Sequence, residues 1–263
     1  MLEYLTKTQE EEFFQKMLEN KTISILGDSI STYTNVSNGE MAATTNTTIE
    51  NNANWYTTAH LTSWKETYWG RMIEKYRMRL CVNNSASGGW VIKDVDEHRI
   101  AGVKRCTELH VNTGEKTGTE PDIIVVYLGT NDLIKEVPVG NLTGNTYNRV
   151  KEADGTYIDP TTFAEGYAII MDKIANRYPN ADVFCFTLLP TSNDAQNRTV
   201  RCKYNEFIKE IAEHYGAFVV DLATESGFTN DNFKPYFCGS HPLSEGVERV
   251  SKVFEDALKR RYC

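Results

Sequence analysis

One serine of this sequence stands where a nucleophile could stand. Ser29 follows Gly27 and Asp28 directly after the apolar run 23–26, so it lies at the carboxyl end of a predicted buried strand. A serine presented in this way can attack a carbonyl carbon if a histidine removes its hydroxyl proton. An ordinary turn or a helix cap gives the same local pattern and is the alternative.

Two further blocks could stabilise the negative charge that develops on an attacked carbonyl. Gly88 and Gly89 follow the apolar run 80–83, and their small size lets the backbone approach a ligand and present an N–H group. Asn131 follows the run 123–128, and its side-chain amide could donate to the same oxygen. A plain glycine turn and an Asx turn are the alternatives.

A histidine near the C-terminus could be the general base. His241 lies just before the last predicted helix and is followed by Pro242. A histidine on a loop that a proline holds suits proton transfer. The remaining histidines are predicted to be surface residues, and they are His60, His98, His110 and His214.

The pattern of apolar residues predicts the elements that must position these side chains. Short, nearly continuous apolar runs predict strands buried on both faces, at residues 23–26, 80–83, 123–128, 183–189 and 217–221. Helices are predicted at residues 64–79, 163–178, 200–215 and 244–260. Strands that alternate with helices predict a parallel sheet in a three-layer α/β/α domain.

The chain is predicted to form a single domain over residues 1–263, with a short N-terminal helical extension at 1–20. Two long segments, 33–63 and 133–162, interrupt the alternation of strands and helices. Both follow the carboxyl ends of predicted strands, where open α/β sheets bind ligands. They are either variable surface insertions or the walls of a substrate pocket.

Composition limits the classes of function. The chain carries 36 Asp and Glu against 28 Lys and Arg, a net charge of −8, which disfavours binding to nucleic acid or to an anionic membrane. The sequence contains no run of about 18 apolar residues, which a membrane-spanning helix would need. The N-terminus lacks the apolar core of a signal peptide. The six cysteines are scattered and are predicted to be free thiols. A cytoplasmic location is therefore expected.

The order of these blocks resembles the SGNH hydrolases, also called the GDSL esterase/lipase superfamily. The blocks lie at residues 27–29, 88–89, 129–132 and 241–242. The resemblance implies a flavodoxin-like fold with a central five-stranded parallel sheet. It also implies that Ser29 is the nucleophile and His241 the general base. The implied oxyanion hole consists of the backbone N–H groups of Ser29 and Gly88 and the side chain of Asn131, and such acyl transfer to water needs no cofactor or metal.

One position departs from the family's pattern. The aspartate that usually lies three residues before the histidine is replaced by Cys238, and a neutral thiol is a poor partner for an imidazolium. A backbone carbonyl near Cys238 could accept the histidine's N–H, or another carboxylate, Asp231 or Asp221, could take the aspartate's role. Alternatively, the protein binds its ligand without catalysis, or Cys238 itself acts as a thiolate, a nucleophile or a metal ligand.

The class of substrate is indicated only by aromatic residues among Asn and Thr. They are Trp55, Tyr56, Trp64, Tyr68 and Trp69. Such rings suit sugar stacking, so an O-acyl (acetyl) ester of a carbohydrate is the first prediction, although rings at 64–69 could simply pack a helix. Lysophospholipid or thioester hydrolysis is the second prediction. Asp28, Trp55 and Trp90 are the predicted substrate contacts, and the expected partner is a small-molecule or glycan ester.

Overall fold

Strands and helices alternate along the described part of the chain. The computed structural model of the protein describes residues 6–32, 61, 63–92, 97–113, 116–117, 119–141, 150–191 and 194–263. The strands are β1 Thr22–Gly27, β2 Arg79–Asn83, β3 Asn112–Thr113, β4 Lys116–Thr117, β5 Ile123–Tyr127, β6 Asp182–Phe186, β7 Phe218–Val220, β8 Phe237–Cys238 and β9 His241–Pro242. The α-helices are α1 Lys7–Leu18, α2 Tyr68–Tyr76, α3 Thr130–Ile134, α4 Phe163–Arg177, α5 Asp194–His214, α6 Leu222–Glu225 and α7 Ser244–Tyr262. Short 3₁₀ turns lie at Ser29–Ser31, Trp64–Glu66, Glu97–Arg99, Arg105–Thr107 and Lys234–Tyr236.

Five of the strands form one parallel sheet in the order β2-β1-β5-β6-β7. The register places Ile23 of β1 beside Ile123 of β5, and Ile123 beside Asp182 of β6. Every residue of β1 and β5 is buried, because helices cover both faces of such a sheet. This strand order is the flavodoxin-like one. The predicted α/β fold with a central five-stranded parallel sheet is therefore confirmed.

Two helical layers enclose the sheet. On one face α1, α2 and α7 pack against one another, and Phe254 of α7 lies 5.1 Å from Phe186 of β6 between ring centres. On the other face α4 packs against α5, and Met171 of α4 contacts Cys185 of β6. Phe186 and Cys185 point to opposite faces because successive side chains of a strand alternate. The helices on both faces thus hold the carboxyl edge of the sheet in place.

Some predicted element boundaries are wrong. The predicted helix 64–79 is a 3₁₀ turn followed by α2, because the Thr67 side chain caps α2 by accepting the N–H of Gly70. Arg77 ends this helix with a left-handed φ of 51°, and β2 then begins at Arg79. Helix α5 begins at Asp194, which is earlier than the predicted residue 200.

The predicted extension and insertions fall partly within the described residues. Helix α1 lies within the predicted N-terminal extension, and its Phe14 and Leu18 are buried in the core. The segment 33–60, which holds most of the first predicted insertion, lies outside the described residues, as does 142–149 in the second. Among the helices described, none combines the length and apolar character that a bilayer crossing needs.

Candidate active site

The structure brings Ser29 and His241 together although they lie far apart in the sequence. Ser29 begins the 3₁₀ turn directly after β1, at the carboxyl edge of the sheet. His241 lies on β9, and its Nε2 is 2.8 Å from the Ser29 Oγ. Both residues are buried, with 7% and 9% of their surface exposed. At this distance the imidazole can take the hydroxyl proton as the oxygen attacks.

A backbone carbonyl occupies the other side of the histidine ring. Strands β8 and β9 form a hairpin that pairs Cys238 with His241 through a two-residue turn. The carbonyl of Cys238 accepts a hydrogen bond from the His241 ring. Since Nε2 faces Ser29, this bond belongs to Nδ1, which therefore carries the proton in the neutral ring. The hairpin thus orients the imidazole with its lone pair toward the serine.

Burial sets the basicity of His241. Removal from water disfavours the charged ring and lowers the pKa of His241 to about 4, and the Cys238 carbonyl only partly opposes this effect. A carboxylate partner would raise the pKa of a histidine instead. The ring is therefore uncharged at neutral pH.

The contacts described for Asp221 and Asp231 are made with residues other than His241. The Asp221 carboxylate contacts the Lys209 Nζ at 2.5 Å and accepts the Thr187 hydroxyl at 3.2 Å. Asp231 is exposed, and its backbone N–H donates to the side chain of Thr229. Asp221 and Asp231 both lie in the segment that follows β7. Their contacts are made within that segment, with α5 and with the residue that follows β6. The Cys238 carbonyl is an acceptor that lies at His241.

Backbone and side-chain donors lie near Ser29. Gly88 has φ 67°, a left-handed conformation that glycine adopts without strain. Within the described residues no hydrogen bond uses the N–H of Gly88 or of Ser29, whereas the Gly89 N–H donates to the Ala86 carbonyl at 2.9 Å. The difference favours Gly88 over Gly89 as a donor to a ligand. The Asn131 Nδ2 donates to the Gly89 carbonyl at 2.9 Å and keeps a second hydrogen.

Asp132 was missed by the sequence analysis. It has no exposed surface, and its carboxylate accepts the N–H groups of Val91 at 3.0 Å and of Ile92 at 3.3 Å. Burial raises the pKa of Asp132 to about 6. It joins the helix that carries Asn131 to the loop that carries Gly88. Its place in the Gly-Thr-Asn-Asp block was the available signal.

The predicted substrate contacts differ in position. Asp28 has no exposed surface and accepts the Ile30 N–H at 2.9 Å, so it holds the turn of Ser29 and offers no surface to a ligand. Burial raises the pKa of Asp28 to about 7. Trp90 is half-buried and forms a β-bridge with Ile100. Trp55 lies outside the described residues. Across the described ranges no group of His, Cys, Asp or Glu could hold a metal ion.

Comparison with known proteins gives a consistent result. The model of the GDSL-like lipase/acylhydrolase family matches residues 21–255 of the chain. A candidate GDSL-like lipase from Bacteroides ovatus is 25% identical, with a TM-score of 0.63 over 92% of this chain and 99% of the other.

Two more distant structures share the fold. One is a candidate GDSL-like lipase from Bacteroides uniformis, 23% identical, with a TM-score of 0.60 over 90% of this chain and 95% of the other. The second is the psychrotrophic esterase EstA from a Pseudoalteromonas species, inhibited by monoethylphosphonate, 14% identical, with a TM-score of 0.53 over 92% and 98%. No curated protein sequence matches the chain.

Proposed function

Because the chain belongs to the GDSL-like lipase/acylhydrolase family and is an ester hydrolase, we propose that Ser29 and His241 cleave a small O-acyl ester, with an acetylated carbohydrate as the first candidate. The observation that carries the proposal is the contact of 2.8 Å between the Ser29 Oγ and the His241 Nε2. It supplies a nucleophile and its base in one hydrogen bond.

The proposed reaction has two halves. The Ser29 Oγ bonds to the ester carbonyl carbon as His241 Nε2 takes its proton, and the carbonyl oxygen becomes an oxyanion. The N–H groups of Ser29 and Gly88 and the Asn131 amide donate to that oxyanion. The imidazolium then protonates the leaving alcohol oxygen as its bond to carbon breaks. Water, deprotonated by His241, attacks the acyl-enzyme, and Ser29 leaves with the proton returned.

A dyad held by a main-chain acceptor replaces the usual triad in this proposal. The Cys238 carbonyl fixes the tautomer that the reaction needs, as an aspartate would. It carries a dipole and not a full charge, so it stabilises the imidazolium less than a carboxylate does. The consequence is a base that stays neutral down to about pH 4 but is a weaker proton acceptor during the attack.

Several of the aromatic rings that suggested a sugar ester pack against the core. Tyr68 and Trp69 have no exposed surface, and the Trp69 Nε1 donates to the Ser31 carbonyl at 3.0 Å. Trp64 stacks on Trp69, with ring centres 5.9 Å apart. These rings therefore pack the core, as the alternative interpretation held. Of the aromatic residues predicted to contact the substrate, Trp90 is half-buried, and Trp55 lies outside the described residues.

The ester preference and the nucleophile can be tested together. Purified protein should hydrolyse p-nitrophenyl acetate faster than the butyrate or octanoate, and it should deacetylate peracetylated xylose. In the reaction with an ethyl fluorophosphonate, the Ser29 Oγ should bond to phosphorus as fluoride leaves, so the peptide that contains Ser29 should gain the mass of the reagent less HF, as the inhibition of the esterase EstA suggests. Preference for octanoate would favour lipid hydrolysis. Absence of both turnover and label would leave a ligand-binding protein.

Restoring a carboxylate beside the base should change the pH profile. In the Cys238→Asp variant the new side chain lies on the same face of the hairpin as His241, since the two positions are paired. A carboxylate favours the imidazolium, so the acid limb of kcat/KM should move from about pH 4 upward by about one to three units. At pH values above this limb we expect kcat/KM to rise by about tenfold. The gain is no larger because the Cys238 carbonyl has already fixed the tautomer of His241.

The control is Cys238→Asn, which has a similar shape without charge and should keep the wild-type acid limb. Asp28 and Asp132 also titrate in this range but are common to all three proteins. An unchanged limb in Cys238→Asp would show that His241 is not the titrating base.

A further inference from the structure

A buried arginine lies outside every block that the sequence analysis selected. Arg105 belongs to a short 3₁₀ turn and is only 2% exposed. Burial lowers the pKa of Arg105 to about 10, so the guanidinium still carries its charge at neutral pH. The carboxylate of Asp28, in the turn that carries Ser29, opposes this lowering of the Arg105 pKa. A buried cation is costly unless its hydrogen bonds are made.

Three backbone carbonyls accept hydrogen bonds from the two Nη atoms of the guanidinium, whereas its buried Nε has no partner among the described residues. Its Nη1 donates to the carbonyls of Gly27 at 3.0 Å and of Asn84 at 2.8 Å. Its Nη2 donates to the carbonyl of Arg99 at 2.9 Å. The Asn84 side chain donates back to the Arg105 carbonyl at 3.0 Å. One side chain therefore joins the end of β1, the end of β2 and the segment near residue 99.

The loop that contains Gly88 and Gly89 lies in contact with the Arg105 guanidinium. A Cβ atom at Gly89 would stand 2.9 Å from the Arg105 Nη2 and 3.3 Å from the Gly27 carbonyl. Only a residue without a side chain allows this approach. The Gly27 carbonyl also accepts the Ala86 N–H at 3.1 Å. The turn that carries Ser29 and the loop that carries Gly88 thus meet at Arg105.

We propose that Arg105 is a positioning residue that sets the distance between the Ser29 N–H and the Gly88 N–H, the two backbone donors of the oxyanion hole. The inference rests on the proposed function and adds a residue that touches no substrate. The two donors come from different loops, and their spacing must match one oxygen atom of the transition state. A displacement of about 1 Å in such a site can cost about a hundredfold in rate.

Arg105→Lys is the test variant, and Arg79→Lys is its matched control. Lysine keeps the charge, but one ammonium cannot reach carbonyls on three segments in the fork geometry of arginine. Arg79 is exposed and donates through two nitrogens to the Asn20 carbonyl, away from Ser29. Both variants lose arginine–carbonyl hydrogen bonds. Only Arg105→Lys loses bonds to the segments that carry the N–H groups of Ser29 and Gly88.

The readout is kcat per active site, titrated by phosphonate labelling so that unfolded protein does not count. In Arg105→Lys we expect kcat to fall about 10- to 100-fold with KM within about twofold. Binding of an arylboronic acid, which forms a tetrahedral adduct with the serine, should weaken by the same factor. Arg79→Lys should match wild type. An unchanged kcat per site, or equal losses in both variants, would overturn the inference.

Hydrogen exchange separates failure of this inference from failure of the proposed function. Absence of Ser29-dependent turnover in wild type would refute the proposed function. The amides of residues 27–32 and 84–92 should still exchange faster in Arg105→Lys than in Arg79→Lys if Arg105 holds the two segments together. Equal exchange would refute the positioning itself, whether or not the protein is active.

Discussion

Replacing Ser29 by alanine should lower kcat/KM for p-nitrophenyl acetate by at least about 10⁴-fold, and His241→Ala should have an effect of similar size. The first variant removes the atom that bonds to the carbonyl carbon. The second leaves the serine hydroxyl without the base that lies 2.8 Å away, so the attacking group is a neutral alcohol. Steady-state assays at neutral pH measure both losses.

The double variant should be no slower than the slower single variant. Ser29 and His241 act as one unit, so removing the second member costs little once the first is lost. The donors of the oxyanion hole remain in all three proteins and should leave a slow residual rate above that of buffer. Additive losses would show that the two residues act in separate steps.

Two variants control for nonspecific damage. Ser251 is also a buried serine, and its hydroxyl donates to the Val247 carbonyl within α7. His214 is the last residue of α5 and packs against the ring of Tyr215. Ser251→Ala and His214→Ala should stay within about threefold of wild type. If Ser29→Ala kept a similar rate, another nucleophile would be at work, and the exposed thiol of Cys238 would be the first to test.

The five strands could be predicted because each contains a short apolar run, and the central strands β1 and β5 are buried at every residue. The run 123–128 shows this most clearly, since every residue of β5 is buried. The apolar pattern by itself did not give the order of the strands, because that order depends on which helix packs on which face; the flavodoxin-like order followed only from the family resemblance. The break before α2 was missed for a local reason, since a threonine within a helical pattern gives no sign that it will cap the helix.

The side chains proposed for the site carry a stronger sequence signal than its backbone groups do, and the carbonyl near Cys238 was only one of several alternatives that the sequence left open. Ser29, Asn131 and His241 are residue types with distinct chemistry, and their order along the chain carried the resemblance. The carbonyl of Cys238 carries no such signal, because every residue has a carbonyl. Arg105 stands in a charged stretch, where an arginine is expected to be solvent-exposed. Its burial follows from the meeting of three segments that are distant in the sequence.

The side-chain donor of the oxyanion hole gives the second large effect. Asn131→Ala should lower kcat by about 10²- to 10³-fold, which corresponds to about 3–4 kcal/mol of lost transition-state stabilisation. One hydrogen of the Asn131 Nδ2 is bound to the Gly89 carbonyl at 2.9 Å, so the other is the one that can meet the oxyanion. The amide is held in place before the substrate arrives and needs no rearrangement during the reaction.

Kinetics can distinguish the hydrogen bond that Asn131 donates to the Gly89 carbonyl from the one that it is expected to donate to the oxyanion. The bond to Gly89 exists with and without substrate, whereas the oxyanion exists only in the transition state, so a loss confined to kcat identifies the second role. Asn176→Ala is the matched control, since Asn176 is exposed and its Nδ2 donates to the Asp172 carbonyl within α4 at 2.7 Å. It should keep wild-type kcat and KM. A raised KM with unchanged kcat in Asn131→Ala would assign Asn131 to substrate binding, because such a pattern reports a contact made equally to the ester and to its transition state.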